Sequence, residues 1–580
     1  MRKNPDPRGK TSNTDRTNYE RRDFLKAGLV SGAVAATAAT DMMTSTAVAD
    51  DYSSFQFDDA VPSGKRAATA AAKKIRSARK RYIESFKIPD QKDNNDENRY
   101  RYDRYIASFT KALPCNDFGE VNSGAYRKLV RAMRTGEKSD LDNIVLSPTA
   151  TRKLVNPQSS LRYEISGLDS HATRIAPAKR FRSKSLAAEQ AEVYWQALTR
   201  DVPFIEYDTN PIVADAVSDL NAFSKTPGLV DGSGNLDSGR LFRGETPGDL
   251  IGPYISQFLL RPFNWGPVAI EQRYEAPVPG NDFMRDEVNW LNVQRGAVGE
   301  SVSSTHSKFI FNNRTLAEAV HNDALYQYYQ HAALILLGGV PGQDANGQSK
   351  FDPGNPYFNG DITTQDGFTS LGGPNVLDMV AKAGNTALSG AWFQKWRIHR
   401  FLRPEALGGR VHFHKTGQRS YEVNAELLDS EAVNRTFTEN GTYFLPQTYP
   451  EGSPTHPSYV AGHACVAGAC VTVLKAFFNE NFLLSANVQA DATGDSLIPY
   501  GGDLTIGGEL DKLANNVSLG RDAAGVHYRQ DGIQGLICGE QQAIALLRET
   551  SKTYHEAGFG GFSLTKFDGQ NILIRKGRVI

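Results

Sequence analysis

Residues 454–478, PTHPSYVAGHACVAGACVTVLKAFF, decide how this chain folds. The segment changes character at its middle. Pro454, Pro457 and Gly462 break regular structure, and then Ala464–Phe478 runs as an apolar helix. Its longest uninterrupted apolar run, Ala464 to Leu474, lies between His463 and Lys475 and is too short to cross a bilayer. Ala461-Gly462-His463 stand at the N-terminus of that helix. Unpaired amides and the positive end of the helix dipole make this an anion-binding position. Gly462 lets the backbone approach an oxyanion closely, and His463 is placed for acid–base work.

Helical patterns recur outward from this segment, around Ser123–Thr135, Ala187–Thr199, Asn210–Phe223 and Thr315–Leu337. A further apolar helix, Gly532–Leu547, follows Asp531 as its N-cap. Long Gly/Pro/Asn-rich loops, Thr226–Asp249 and Gly338–Gly373, separate them. Strand-like alternation is confined to short pieces near Arg410–Phe413 and Ile572–Ile580. The expected fold is mainly α: helical bundles (two four-helix-bundle-like cores) with long loops and few short strands. The expected division is a leader at 1–49, an N-terminal helical region at 50–300 and a site-bearing bundle at 301–580, the last two packed as one unit.

The 580 residues carry 65 Lys+Arg against 65 Asp+Glu. Such a balance argues against a nucleic-acid binder or a polybasic membrane protein. Arg21-Arg22-Asp23-Phe24-Leu25-Lys26, a short Ala-rich run and Ala47-Val48-Ala49 form the pattern of a twin-arginine export signal. That pattern predicts a periplasmic or extracellular protein. Without the leader the chain keeps 57 positive and 60 negative charges, a net of −3. The basic stretch Gly64–Lys87 reads as a helix with a solvated face, since no aromatics alternate with its charges. The four cysteines, at 115, 465, 470 and 538, lack zinc or CxxC spacing and read as buried free thiols. The loop Asp231–Asp237 alternates oxygen side chains as a calcium loop does. It lacks glycine at the sixth position and has Phe242 where a bidentate Glu belongs, so a plain turn is the better reading and structural calcium the lesser one.

Six of the eleven histidines fall between His399 and His527, and the chemistry concentrates there. Lys395, His399 and Arg403 are spaced to share one helical face, with Pro404 ending the helix. An ammonium and a guanidinium on one face suit a tetrahedral oxyanion. Arg521 and His527 lie six apart and would point in different directions on one helix. Gly525 between them permits a break that brings both to one site.

Lys-x7-Arg-Pro, then Ala-Gly-His, then Arg-x5-His resembles the superfamily of vanadium-dependent haloperoxidases and acid phosphatases. Four longer motifs are similar to those of the vanadium bromoperoxidases of marine algae and bacteria. They are His-Pro-Ser-Tyr-x-x-Gly-His-Ala (456–464), Gly-Val-His-Tyr-Arg-x-Asp-Gly-Ile-Gln-Gly-Leu (525–536), Gly-Pro-Tyr-Ile-Ser-Gln-Phe (252–258) and Ser-Phe-Thr-Lys-Ala-Leu-Pro (108–114). The resemblance runs from about residue 70 to 560. It implies vanadate as cofactor, with vanadium(V) bound to His527 and its oxygens held by Lys395, Arg403, Arg521 and the Gly462 amide. It implies His463 as the acid–base group and Lys395 as the group that polarises bound peroxide. The implied reaction is oxidation of bromide or iodide by hydrogen peroxide to a hypohalous-acid equivalent that halogenates small organic acceptors. His456 and Trp392 match residues beside the halide position, which favours bromide. The residues alone argue only for a caged oxyanion, so an acid phosphatase with His527 as phosphoryl acceptor stays open.

Two positions depart from the family. Ala461 stands where a serine is usual, which removes one hydroxyl from the cage, and Cys115 stands where algal relatives often carry histidine. Asp323 is a candidate partner for one of the arginines. Relatives assemble as dimers or larger, so a homo-oligomer is expected, with long loops such as Gly338–Gly373 available as interfaces.

Overall fold

The computed structural model describes residues 89–580, apart from positions 165 and 303, and the isolated helical positions 73, 77 and 80. The leader expected at 1–49 and most of the basic stretch at 64–87 lie outside the described residues. The longer helices are α1 (Ser123–Thr135), α2 (Lys184–Leu198), α3 (Pro211–Ala222), α4 (Glu287–Gln294), α5 (Asn313–Ala319) and α6 (Gln327–Leu334). They continue with α7 (Gly373–Phe393), α8 (Pro404–Lys415), α9 (Glu431–Asn440), α10 (Gly462–Phe477), α11 (Ile506–Ala523) and α12 (Arg529–Thr550). Their ends obey local rules. The Asn122 and Ser183 side chains accept the Ala125 and Leu186 amides at the starts of α1 and α2. Asn210 caps α3 with Pro211 in its first turn, and α1 ends on left-handed Gly136.

Two clusters of helices result. The apolar α10, buried along nearly its whole length, packs against α7, α11 and α12. Such a helix has no face to give to solvent, so it must sit at the centre of its cluster. The second cluster surrounds α2, which packs on α3, α8 and α9 and also touches α11. One apolar core runs through both, and Lys87–Ile580 form one compact unit. A smaller core beside it gathers Phe109, Tyr126, Leu129 and Trp396. The strands are short antiparallel pairs plus one three-stranded sheet near the C-terminus, at Phe562–Thr565, Asn571–Arg575 and Arg578–Val579. The mainly α expectation holds.

Small residues let α10 and α12 approach closely. A Cβ added at Gly539 would lie 2.0 Å from the Cys465 carbonyl oxygen, and one at Gly468 2.3 Å from that of Leu536. No side chain fits at either place.

Four sequence expectations need correction. Arg410–Phe413 is helical, inside α8, because the alternation there is too short to outweigh the Pro404 helix start. The single helix expected over Thr315–Leu337 is two, α5 and α6, interrupted at Val320–Tyr326. Lys395, His399 and Arg403 do not share a helix. α7 passes into a wider turn at Gln394–His399 and ends at Arg400, which is left-handed at φ 36°. Pro404 excludes helical backbone from Arg403, which instead N-caps α8 at φ −88°, ψ 156°. Asp531 is the third residue of α12 and not its N-cap, which is Tyr528.

The four cysteines are free, three of them buried. Asp231 accepts the Ser233 and Asn235 amides, as in a plain turn. Among the described residues no group of metal-ligating side chains stands ready for a cation, and no helix is long and apolar enough to cross a membrane.

Candidate active site

The N-terminus of α10, the turn before α8 and the break between α11 and α12 converge on one buried site. The break depends on Gly525, whose φ is 83° and where a Cβ would stand 2.5 Å from Gln447 Nε2. It lets Arg521, on the last turn of α11, and His527, before α12, reach the same place. Arg403 makes the link between segments. Its Nη1 donates to His527 Nε2 at 2.9 Å and to the Val526 carbonyl at 2.7 Å. Its Nη2 donates to His456 Nδ1 at 3.0 Å, and its Nε to the His456 carbonyl at 3.1 Å. Lys395 Nζ donates to the carbonyls of Pro457 and Ser458, each at 2.7 Å.

These bonds fix the tautomer of His527. A guanidinium only donates, so Nε2 must carry a lone pair. Nδ1 then holds the proton and donates to Asp531 Oδ2 at 2.8 Å. Ser458 Oγ donates to the same oxygen at 2.5 Å, so Asp531 is held from two sides. Burial and the neighbouring charges of Arg403, Lys395 and Arg521 keep the His527 imidazole far below its usual range, hence neutral. Burial raises the Asp531 carboxyl to about 6, opposed by the Ser458 hydrogen bond and the Lys395 charge.

His463, the second residue of α10, bonds through Nε2 to Asp323 Oδ1 at 2.9 Å. Burial lowers its pKa against the pull of Asp323. Asp323 therefore serves His463 and not an arginine as expected. The Gly462 amide begins a helix whose N-cap, Ala461, offers no side-chain acceptor. A Cβ at Gly462 would come within 3.2 Å of Trp392, which places the indole beside this helix end. The Trp392 and His456 rings lie 4.9 Å apart, tilted at 45°.

The charge balance of the site is its most informative property. Lys395, Arg403 and Arg521 are all buried. Among the described residues no carboxylate forms a salt bridge with any of them. Burial and the charge of Arg403 push Lys395 far below its usual range, and burial also lowers Arg403. Arg521 donates through Nη1 to the Val320 carbonyl at 2.6 Å, but its buried Nε has no acceptor among the described residues. Asp531 is the nearest counter-charge to Lys395 and Arg403 but bonds neither, and buried basic groups left so weakly compensated are costly, so the site suits an anion from outside the chain. The uncapped Gly462 amide suits a metal oxyanion, and so does the lone pair on His527 Nε2 once Arg403 Nη1, which occupies it here, turns to the oxyanion.

The sequence-predicted site residues Lys395, Arg403, His456, Gly462, His463, Arg521, His527 and Trp392 lie in this neighbourhood, whereas His399, spaced with Lys395 and Arg403 in the sequence, does not. His399 is buried with its ring edge-on to Tyr459 at 4.7 Å, and its Nδ1 lacks a partner among the described residues. Sequence reasoning missed Ser458 and the role of Asp531. The i, i+4 spacing of His527 and Asp531 was the available signal for the latter.

Residues 376–556 match the family of the VCPO second helical-bundle domain. The chain is 34% identical over 555 residues to the vanadium-dependent bromoperoxidase of Corallina officinalis, covering 81% of this chain and 91% of that one. It is 35% identical over 538 residues to the vanadium-dependent bromoperoxidase of Ascophyllum nodosum, covering 89% of this chain and 93% of that one. Its fold superposes with a TM-score of 0.82 on the homohexameric second vanadate-dependent bromoperoxidase of Ascophyllum nodosum. There the identity is 31%, with 90% of this chain and 93% of that chain covered. With its caged anion site and relatives above 30% identity along most of its length, this chain belongs to the vanadium-dependent bromoperoxidase family.

Proposed function

We propose that this protein is a vanadate-dependent bromoperoxidase that oxidises bromide, and iodide, with hydrogen peroxide. The observation that carries the proposal is three buried basic side chains that form no salt bridge among the described residues, beside a neutral, metal-competent imidazole. When bound, vanadate supplies Lewis acidity toward peroxide without changing oxidation state. Lys395, Arg403, Arg521 and the Gly462 amide would hold the oxyanion and offset its charge. His527 would ligate through Nε2, with Asp531 keeping the proton on Nδ1, as carboxylates behind metal-bound histidines do.

His463 moves the proton. Its Nε2 is committed to Asp323, so Nδ1 is left to take a proton from peroxide as it binds. Because burial lowers its pKa, His463 stays neutral, and able to act as base, to lower pH than a free imidazole. Trp392 and His456 line the side of the site proposed for halide. Small organic acceptors then react with the hypohalous-acid equivalent. By analogy with the homohexameric relative, the protein works as a homo-oligomer, and the leader at 1–49 directs export to the periplasm or beyond.

Calorimetric titration of the purified protein with vanadate tests the site. Wild type is expected to bind one equivalent per chain, with phosphate competing. His527→Ala is expected to weaken binding by at least tenfold, and undiminished binding by that variant overturns the assignment of His527.

A further inference from the structure

The interruption between α5 and α6 serves both halves of the site. Val320, at the start of that turn, gives its carbonyl to Arg521 Nη1 at 2.6 Å. Three residues on, Asp323 gives its carboxylate to His463 at 2.9 Å. One short turn thus fixes a cation of the oxyanion cage and the orientation of the acid–base histidine. Between these two residues lies His321, whose ring bonds Glu318, Glu451 and Asn322 and not Arg521 or His463 among the described residues.

His321 is pinned from three directions. Its Nδ1 meets Glu318 Oε1 at 3.2 Å, and its Nε2 meets Glu451 Oε1 at 3.0 Å. Its ring stacks on Tyr449 with centroids 3.7 Å apart and planes 6° from parallel. Burial disfavours a charged ring, but carboxylates at both ring nitrogens outweigh it and raise its pKa to about 9; the Asn322 side-chain nitrogen also lies 3.2 Å from Nδ1. Arg152 and Lys111, which donate to the Glu451 carbonyl at 3.2 and 2.8 Å, are further charged groups at this cluster. An imidazolium just past the end of α5 also complements the helix dipole.

Tyr449 connects the clamp to the cage. Its hydroxyl donates to the Ala317 carbonyl at 2.5 Å and accepts from Arg521 Nη1 at 3.3 Å. The guanidinium carbon of Arg521 lies 5.3 Å from the ring centroid. The Val320 carbonyl at the end of α5 is therefore satisfied by Arg521, and the Ala317 carbonyl, which also accepts the Val320 amide at 3.3 Å, by Tyr449. Removing His321 would loosen the turn, the stacked ring and the arginine together.

We propose that His321, held by Glu318 and Glu451 and stacked on Tyr449, is a positioning residue that sets both Arg521 and the Asp323–His463 pair. The proposal rests on the oxyanion site described above. It makes the Val320–Asp323 turn the coupling element between cofactor affinity and proton transfer.

The test compares wild type, His321→Phe and Tyr449→Phe. His321→Phe keeps an aromatic ring against Tyr449 but removes both ion pairs. Tyr449→Phe keeps the stack but removes the hydroxyl acceptor for Arg521. Vanadate dissociation constants are read by calorimetry, and the pH profile of kcat is read with saturating vanadate. His321→Phe is expected to weaken vanadate binding about tenfold and to shift the acidic limb of the kcat profile, because His463 loses its fixed carboxylate. Tyr449→Phe is expected to weaken binding but leave that limb in place. A His321→Phe protein with wild-type affinity and an unshifted limb overturns the proposal. If His321→Phe does not fold, Tyr449→Phe decides alone: affinity within twofold of wild type contradicts the link from the clamp to Arg521. Wild-type protein that binds no vanadate would instead overturn the site assignment on which the proposal rests.

Discussion

Ala461 is where this chain asks most of its remaining donors. It is fully buried at the N-cap of α10, and it brings no hydroxyl either to the helix or to the oxyanion. Ala461→Ser should therefore act twice. A hydrogen bond to a charged group contributes roughly 1.5–3 kcal/mol, so vanadate affinity measured by calorimetry should rise at least about tenfold. A serine cap should also raise thermal stability, by roughly 1 kcal/mol. Unchanged affinity would mean that position 461 does not face the oxyanion. The cage was readable at this scale because cations and histidines are rare, and Lys395, Arg403, His463, Arg521 and His527 fall in fixed spacings. Asp531 and Ser458 were not readable as a pair. Their link spans 73 residues, and an aspartate at a helix start is equally at home as N-cap or in the first turn.

Helix contacts explain what the site can be built on. The crossing of α10 and α12 holds the Gly462 amide in the same neighbourhood as His527, and it depends on glycine. Gly539→Ala would drive a Cβ into the Cys465 carbonyl, a backbone atom that cannot move aside. Overpacking of this kind costs about 1–3 kcal/mol, so the thermal midpoint of Gly539→Ala should fall by several degrees. Gly338→Ala, with nothing within 4 Å of the added Cβ, is the control and should be near neutral. Equal effects in the two variants would contradict the close-approach reading. Apolar periodicity located most of these helices, α10 above all. It could not locate breaks that other segments impose. The end of α7 at Arg400 and the gap between α5 and α6 follow from contacts with Glu97, Arg521 and Tyr449, distant in sequence. The wider turn at Gln394–His399 likewise has no local signature.

For the whole molecule, buried imidazoles link stability to pH. Burial lowers His399 to about 3, aided by Arg400, and lowers His331 to about 4. Both groups bind protons near pH 6.5 when unfolded but not when folded. Stability should therefore be complete above about pH 6.5 and decline as pH falls toward these values. The slope approaches roughly 1.4 kcal/mol per pH unit for each group. Denaturant unfolding at pH 6.5, 5.5 and 4.5 checks this, and His399→Phe should flatten the decline. A decline equally steep in that variant would remove His399 from the account. Formal neutrality, 65 charges of each sign, conceals the other whole-molecule feature: three cations buried around one small site. The most direct measurement follows from that feature. Purified protein with saturating vanadate is assayed in parallel for peroxide-dependent bromination of a diketone and for phosphate-ester hydrolysis. The account predicts vanadate-dependent bromination; ester cleavage without bromide oxidation would contradict it.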